Sequence, residues 1–385
     1  MKTWKVPLAE VHLGPEEMAA VAAVLRSGWL SMGPRTEQFE EAFARFLGVK
    51  HALAVASGTA ALHLACEVLG LKAGDEVLCP ALTFVASANA ILYTGARPVF
   101  VDVGGPHDLN LSVADAAAKV TPRTRALMVV HYGGYPADMD GLRALARGHG
   151  LRIIEDSAHA PGAVYRSREG PRPVGTLGDL GCFSFFANKN LTTGEGGMVV
   201  TDDDDLAAKI RVARSHGMTT LTWERHRGHS FSYDVVARGF NYRLDEMRAA
   251  LGLVQLGRLE AANAGRRRWT RVYQERLADL KEIDLPFLTA PEGAAHHLFP
   301  IILKDAGQRA AFMAALAGQG IQTSIHYPPV HTFSFYRGLW PEGYQHGLEQ
   351  TEAVAAREVT LPLFPTMTPA QADRVIQAVR QASRD

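Results

Sequence analysis

The sequence predicts an α/β protein: a large domain with a mostly parallel seven-stranded sheet flanked by helices, and a smaller C-terminal α/β domain. Three observations carry this. Short continuous apolar runs recur from about residue 50, stretches with helical apolar spacing separate them, and small or polar residues stand just after several of the runs. Continuous apolar runs between helices are strands buried on both faces, as in a parallel sheet covered by helices. At 385 residues the chain exceeds what one core usually holds, so a large and a smaller domain are expected.

The strand runs, in order, are Ala52–Ala56, Glu76–Cys79, Pro98–Asp102, Ala126–Val130, Leu151–Glu155, Gly181–Phe185 and Gly197–Thr201. From Asp245 the apolar spacing turns helical and continues, strongly basic, through Arg266 to Arg268, which predicts a long helix connecting the two domains. The expected division is residues 1–260, ending in that helix, and 261–385. In the second part Leu298–Leu303 and Ile321–His326 are expected strands around a helix that begins near Gly307, and residues 291–293 (Pro-Glu-Gly) read as a loop.

The 47% hydrophobic and 21% charged fractions are those of an ordinary globular protein. Forty basic residues balance forty acidic ones, so no net field draws the chain to nucleic acid or an anionic membrane. Any anionic ligand must be held by local donors. Cys66, Cys79 and Cys182 are odd in number and form no C-x-x-C pair, which argues against a disulfide framework and a zinc site. With no signal-like apolar start and no membrane-length run, the expected setting is the cytoplasm, with no metal.

Lys189 is one of only nine lysines against thirty-one arginines, and it lies in the aromatic and glycine-rich run Ser184–Gly197. Desolvation lowers a lysine pKa, and a partly neutral amine can form a Schiff base with a carbonyl. A surface lysine on a turn is the alternative. Ala56-Ser57-Gly58-Thr59 follows a strand and opens a helix, where backbone N–H groups and hydroxyls reach a phosphate; Ser57 as a simple N-cap accounts for the motif equally well. Asp156, at the end of the run Ile153–Asp156, is costly to bury without a partner, so it either meets a cation or protonated heterocycle or caps the next turn. Phe84, after the strand ending at Cys79, either stacks on a planar ligand or belongs to the core.

The glycines Gly194, Gly196 and Gly197 precede a strand, the reverse of the order in a dinucleotide fingerprint, and read as a tight turn beside the lysine. Asp202–Asp205 reads as an acidic helix start. The stretch from His216 through residues 223–230, with two arginines and several histidines, is either a diphosphate clamp or a solvated loop. Asn241 precedes the long helix and is readable as its cap.

In their order and spacing these stretches resemble the DegT/StrS family of pyridoxal-phosphate sugar aminotransferases, of the fold type I architecture shared with aspartate aminotransferase. The resemblance runs from Ser27–Pro34 through Ala56–Thr59, Gly74–Val77, Thr83–Ala86, Glu155–His159, Lys189–Gly197 and Gly239–Arg243 to His326–Pro329. It implies that the cofactor is pyridoxal 5′-phosphate, alternating with pyridoxamine 5′-phosphate. Lys189 would hold it as a Schiff base and then shuttle the proton between the cofactor C4′ and the substrate carbon. Asp156 would hold the pyridine nitrogen, Phe84 would stack on the ring and His159 would lie near the phenolic oxygen, with Gly58, Thr59 and Ser184 on the phosphate. It further implies a homodimer in which Asn241 reaches the partner's cofactor phosphate and Arg243 the substrate diphosphate, while His326 faces the sugar.

The implied reaction moves an amino group, from glutamate by family habit, to a nucleotide-linked keto-sugar in two half-reactions. A keto-inositol is the alternative acceptor. The family also contains pyridoxamine-dependent dehydratases, which carry His at the lysine position, and non-catalytic regulatory relatives were once proposed. Lys at 189 speaks against the dehydratase, and Lys189, Asp156 and the phosphate donors together speak against a regulator.

Overall fold

The computed structural model describes residues 4–220, 232–288, 293–339 and 346–384. All seven expected strands form, as β1 (His51–Val55), β2 (Glu76–Pro80), β3 (Arg97–Val101), β4 (Thr124–Val130), β5 (Arg152–Asp156), β6 (Leu180–Ser184) and β7 (Gly197–Thr201). They lie in one sheet in the order β1-β7-β6-β5-β4-β2-β3. β7 runs antiparallel to both β1 and β6, and the other pairings are parallel. A parallel return would need a crossover helix, whereas only a loop separates β6 from β7, so β7 must come back antiparallel. That loop carries Lys189.

Period-two alternation assigns the strand side chains to two cores. Cys79, Met128 and Ile154 face one side with Ala61, Leu64 and Ala65 of helix Gly58–Val68. Leu78, Leu127, Val129 and Ile153 face the other with Met139, Leu142 and Ala146 of helix Met139–His149. Cys66, Cys79 and Cys182 are buried thiols in the first of these cores.

The long helix runs unbroken from Glu246 to Leu277, with Asp245 as its N-cap accepting from the Arg248 amide at 2.9 Å. The residue-260 division expected from sequence falls inside it. Glu246 is itself a cap for another helix: Gly33 precedes helix Pro34–Leu47 and has no side chain, and the buried Glu246 carboxylate accepts from the amides of Gly33, Arg35 and Thr36 at 2.8–2.9 Å. Farther along, Trp269, Tyr273 and Leu277 enter a separate core with Phe299, Ile301, Phe312, Leu316 and Val375. Its sheet, β8 (Ile283–Asp284), β9 (Phe299–Leu303) and β10 (Glu358–Leu361), is antiparallel in the order β8-β9-β10. Helix Arg309–Gly318 starts close to the expected Gly307.

Ile321–His326 is not a strand. Only isolated bridges form there, from Ile321 to Val6 and from Ser324 to Thr360. The His326 amide donates to the Glu358 side chain, so the ladder ends and the chain turns toward the main sheet. Residues 291 and 292 of the expected loop lie outside the described residues. Among the described residues no helix is long and apolar enough to cross a membrane.

Candidate active site

β1, β2, β4, β5 and β6 point their carboxyl ends to the same edge of the sheet, the edge where open α/β sheets bind ligands. A cavity of about 450 Å³ opens there, lined by Gly58, Thr59, Phe84, Asp156, His159, Ser184, Lys189 and His326 among others. Eight of the ten residues singled out from sequence thus meet in one place.

Lys189 is held from both sides. Its amide donates to Phe186 O at 2.9 Å, Leu191 is buried in the core, and Asn190 donates through Nδ2 to Asn263 Oδ1 at 2.9 Å and Ala295 O at 2.8 Å. Of the following glycines, Gly194 turns at φ +80°, and Gly197 packs against Ser57, where a Cβ would stand 2.5 Å from Ser57 O, with no close approach to Lys189 itself. Lys189 keeps one side open to the cavity, yet burial drives its ammonium pKa down to about 8, against the opposing pull of the Asp156 charge.

Asp156 is buried at the end of β5. The turn the sequence allowed is present, with Oδ1 accepting from the Ala158 amide at 3.2 Å, and Oδ2 accepts from Ser87 Oγ at 2.7 Å. Burial raises its pKa, while these two bonds and the charges of Lys189 and His131 lower it. Ser87 in turn meets Thr83 Oγ1 at 2.9 Å. Sequence reasoning cited this stretch only for Phe84 and missed Ser87, although a serine four residues after a threonine at a helix start was the available signal. Neighbouring Glu155 serves the scaffold instead. Its carboxylate accepts from the amides of Gly175, Leu177 and Gly178 at 2.6–2.8 Å and meets His131 Nε2 at 3.0 Å.

At the opposite side, Ser57 is the N-cap of helix Gly58–Val68, its hydroxyl accepting from the Ala60 amide at 3.1 Å. Capping uses Ser57 Oγ as an acceptor, and Ser57, Gly58 and Thr59 all line the cavity. Gly58 is required by proximity, since a Cβ there would stand 2.7 Å from Ser184 Cβ. A helix N-terminus pressed against a serine at a strand end, with no side chain between, is a phosphate-sized cradle. With a carboxylate across the cavity and an amine of lowered pKa, these residues fit pyridoxal 5′-phosphate.

His159 Nδ1 accepts from the Gly133 amide at 3.2 Å, which leaves the ring proton on Nε2, 3.0 Å from Tyr327 Oη. Burial and the charge of Lys189 hold its pKa well below the usual histidine value, so the ring is neutral. His326 is also pushed down, to about 4, by burial and Lys189. Phe84 is 56% exposed and so is not a core residue; its ring lies 5.9 Å from that of Tyr327. Tyr327 lines the cavity and was not anticipated, although it directly follows His326 in the motif.

Asn241 and Arg243 do not line this cavity. Asn241 is exposed and bridges Ser215, and the helix cap it was weighed for is Asp245. Arg243 bridges Val55 at the end of β1, and its Nη1 donates to Ser215 Oγ at 3.3 Å. The Arg/His-rich stretch 223–230 lies outside the described residues.

Residues 11–380 match the model of the DegT/DnrJ/EryC1/StrS aminotransferase family. The spore coat polysaccharide biosynthesis protein SpsC of Bacillus subtilis (strain 168) is 42% identical over 97% of this chain and 96% of its own. The sugar aminotransferase CalS13 from Micromonospora echinospora superposes with a TM-score of 0.87 at 33% identity over 98% of this chain and 99% of that one. Spr1654 from Streptococcus pneumoniae in its PLP form gives a TM-score of 0.89 at 26% identity over 98% of each chain. A match over nearly the whole length, with the lysine, carboxylate and cradle in one cavity, has a single meaning: the chain belongs to the DegT/DnrJ/EryC1/StrS aminotransferase family, and its cofactor is pyridoxal 5′-phosphate, alternating with pyridoxamine 5′-phosphate.

Proposed function

We propose that this sugar aminotransferase takes an amino group from glutamate and places it on a keto-sugar carried by a nucleotide diphosphate. The convergence of Lys189 and Asp156 in one cavity with the Gly58–Thr59–Ser184 cradle carries the reading. When bound, the cofactor supplies a carbonyl that exchanges for an amine and a ring that withdraws electrons. Asp156 holds the proton on the ring nitrogen, and its bond from Ser87 fixes the carboxylate in place to do so. Gly58, Thr59 and Ser184 would hold the phosphate, Phe84 would cover the ring and neutral His159, its Nε2 against Tyr327 Oη, would lie near the phenolic oxygen.

Lys189 Nζ takes a proton from one carbon and returns it to another in each half-reaction. Such an acid–base must release its proton near neutral pH, and the lowered pKa of Lys189 supports the role. Arg243 supplies positive charge for the diphosphate and Asn241 a donor for the cofactor phosphate, both in the partner subunit's site. His326 faces the sugar. A surface polysaccharide role for the aminated product is supported by the name of the SpsC relative.

The decisive experiment mixes the pyridoxamine form with a panel of keto nucleotide-sugars and keto-inositols and follows return of the aldehyde-form absorbance. Return with a nucleotide-sugar is expected, and return with a keto-inositol alone would replace the substrate class. Lys189→Ala is expected to bind cofactor and give no turnover; turnover near the wild-type rate would sink the mechanism.

A further inference from the structure

Behind His326 lies a buried carboxylate that the mechanism above does not use. Glu358, on β10, is completely enclosed. Its Oε2 accepts from the His326 amide at 2.9 Å, and its Oε1 meets Thr360 Oγ1 at 2.5 Å. Thr360 Oγ1 in turn meets His326 Nδ1 at 2.8 Å. A backbone clamp completes the arrangement, because Tyr132 Oη donates to His326 O. The other ring nitrogen, Nε2, has no hydrogen-bond partner among the described residues, and His326 lines the active-site cavity.

A hydroxyl has one proton, so this chain of contacts has only two consistent polarities. With Glu358 ionised, the carboxylate can only accept. Thr360 gives it the hydroxyl proton and accepts from Nδ1–H, which leaves Nε2 bare. With Glu358 protonated on Oε1, the carboxyl donates to Thr360, whose proton turns to Nδ1, and the ring proton stands on Nε2. Between the two states the carboxyl gains one proton while the ring keeps one proton and changes the nitrogen that bears it, by exchange with solvent. Burial and the Lys189 charge keep the ring from taking a second proton.

We propose that Glu358, acting through Thr360, is a positioning residue that decides whether His326 offers the sugar a hydrogen-bond donor or an acceptor. The inference rests on the reading that His326 faces the sugar. Burial raises the Glu358 carboxyl to about 8, opposed by its bonds from Thr360 and the His326 amide and by the Arg309 charge. Tyr132 and Tyr327 also face it, and burial, with the Glu358 charge, raises both phenols, so they remain protonated as Glu358 titrates. His326 is therefore a donor below about pH 8 and an acceptor above it.

Ring ¹⁵N spectra of His326 in the holoenzyme, assigned by difference from His326→Gln, test this between about pH 6.5 and about pH 9.5, a range bracketing the Glu358 transition. The wild type is expected to exchange the protonated nitrogen from Nε2 to Nδ1 as pH rises. Glu358→Gln accepts from the His326 amide through its oxygen and donates to Thr360 through its nitrogen, so it holds the Nε2–H form throughout. Thr360→Val loses the exchange and Thr360→Ser restores it. One tautomer across the range in the wild type, or wild-type exchange in Glu358→Gln, overturns the proposal. In parallel, the ratio of the wild-type keto-sugar KM to that of Glu358→Gln changes by roughly three- to tenfold across the transition, the worth of one neutral hydrogen bond, because Lys189 titrates in both proteins and cancels from the ratio. Ring exchange with an unchanged sugar KM overturns the sugar-facing assignment of His326 and leaves the relay standing.

Discussion

Lys189 is a residue whose proposed function opposes stability. Its folded pKa of about 8 is below the ordinary lysine value of 10.5, so the folded state binds fewer protons than the unfolded chain between these values. The penalty is complete below about pH 8 and fades as pH rises toward 10.5. Lys189→Met is therefore expected to stabilise the cofactor-free protein at neutral pH by on the order of 1–3 kcal/mol, with the advantage shrinking in alkaline buffer. Thermal unfolding at several pH values measures it, and a gap that stays constant with pH would contradict the stated cause. Lys189 and Asp156 were legible because each is a polar residue at a fixed place in the strand and loop order. Ser87 and Tyr327 were not, because their partners Asp156 and His159 are 69 and 168 residues away.

At the level of elements, the site depends on how closely the N-terminus of helix Gly58–Val68 approaches the end of β6. Gly58→Ala places a methyl 2.7 Å from Ser184 Cβ, so the helix and strand must separate. Cofactor affinity is expected to fall about tenfold or more, ~1.4 kcal/mol, measured by titrating the apoprotein. Ser184→Gly removes the opposing Cβ along with a phosphate donor, so Gly58→Ala is expected to cost less in that background than in the wild type; an equal cost in both would show that Gly58 matters for another reason. The sequence located all seven strands of the main sheet, since each is a continuous apolar run. It misread Ile321–His326, because two isoleucines among polar residues look like a strand whether or not a neighbour supplies a ladder, and here the Glu358 side chain takes the amide instead.

For the whole molecule, we propose a homodimer that shares its active sites. Asn241 and Arg243 stand outside the cavity of their own chain, and beside their segment Val235 and Val236 are 57% and 59% exposed. Exposed apolar side chains next to polar residues of proposed function suit a subunit contact. Lys189→Ala and Arg243→Ala are each expected to be nearly inactive alone. Random mixing makes half of the dimers mixed, each with one intact site, so about a quarter of wild-type activity is expected to return. Activity that fails to return would place Arg243 in the site of its own chain.

The sequence by itself determined the α/β class, the strands of the large sheet and, in Lys189, Asp156 and Gly58–Thr59, residues that the fold brings to one cavity. Those depend on local periodicity, on residue type and on order along the chain, all of which are present before folding. Tertiary structure alone decided which hydroxyl holds Asp156, why position 58 tolerates no side chain, and that a glutamate 32 residues beyond His326 lies behind its ring. Each of these is a contact between segments distant in sequence, and no periodicity records which segments will meet.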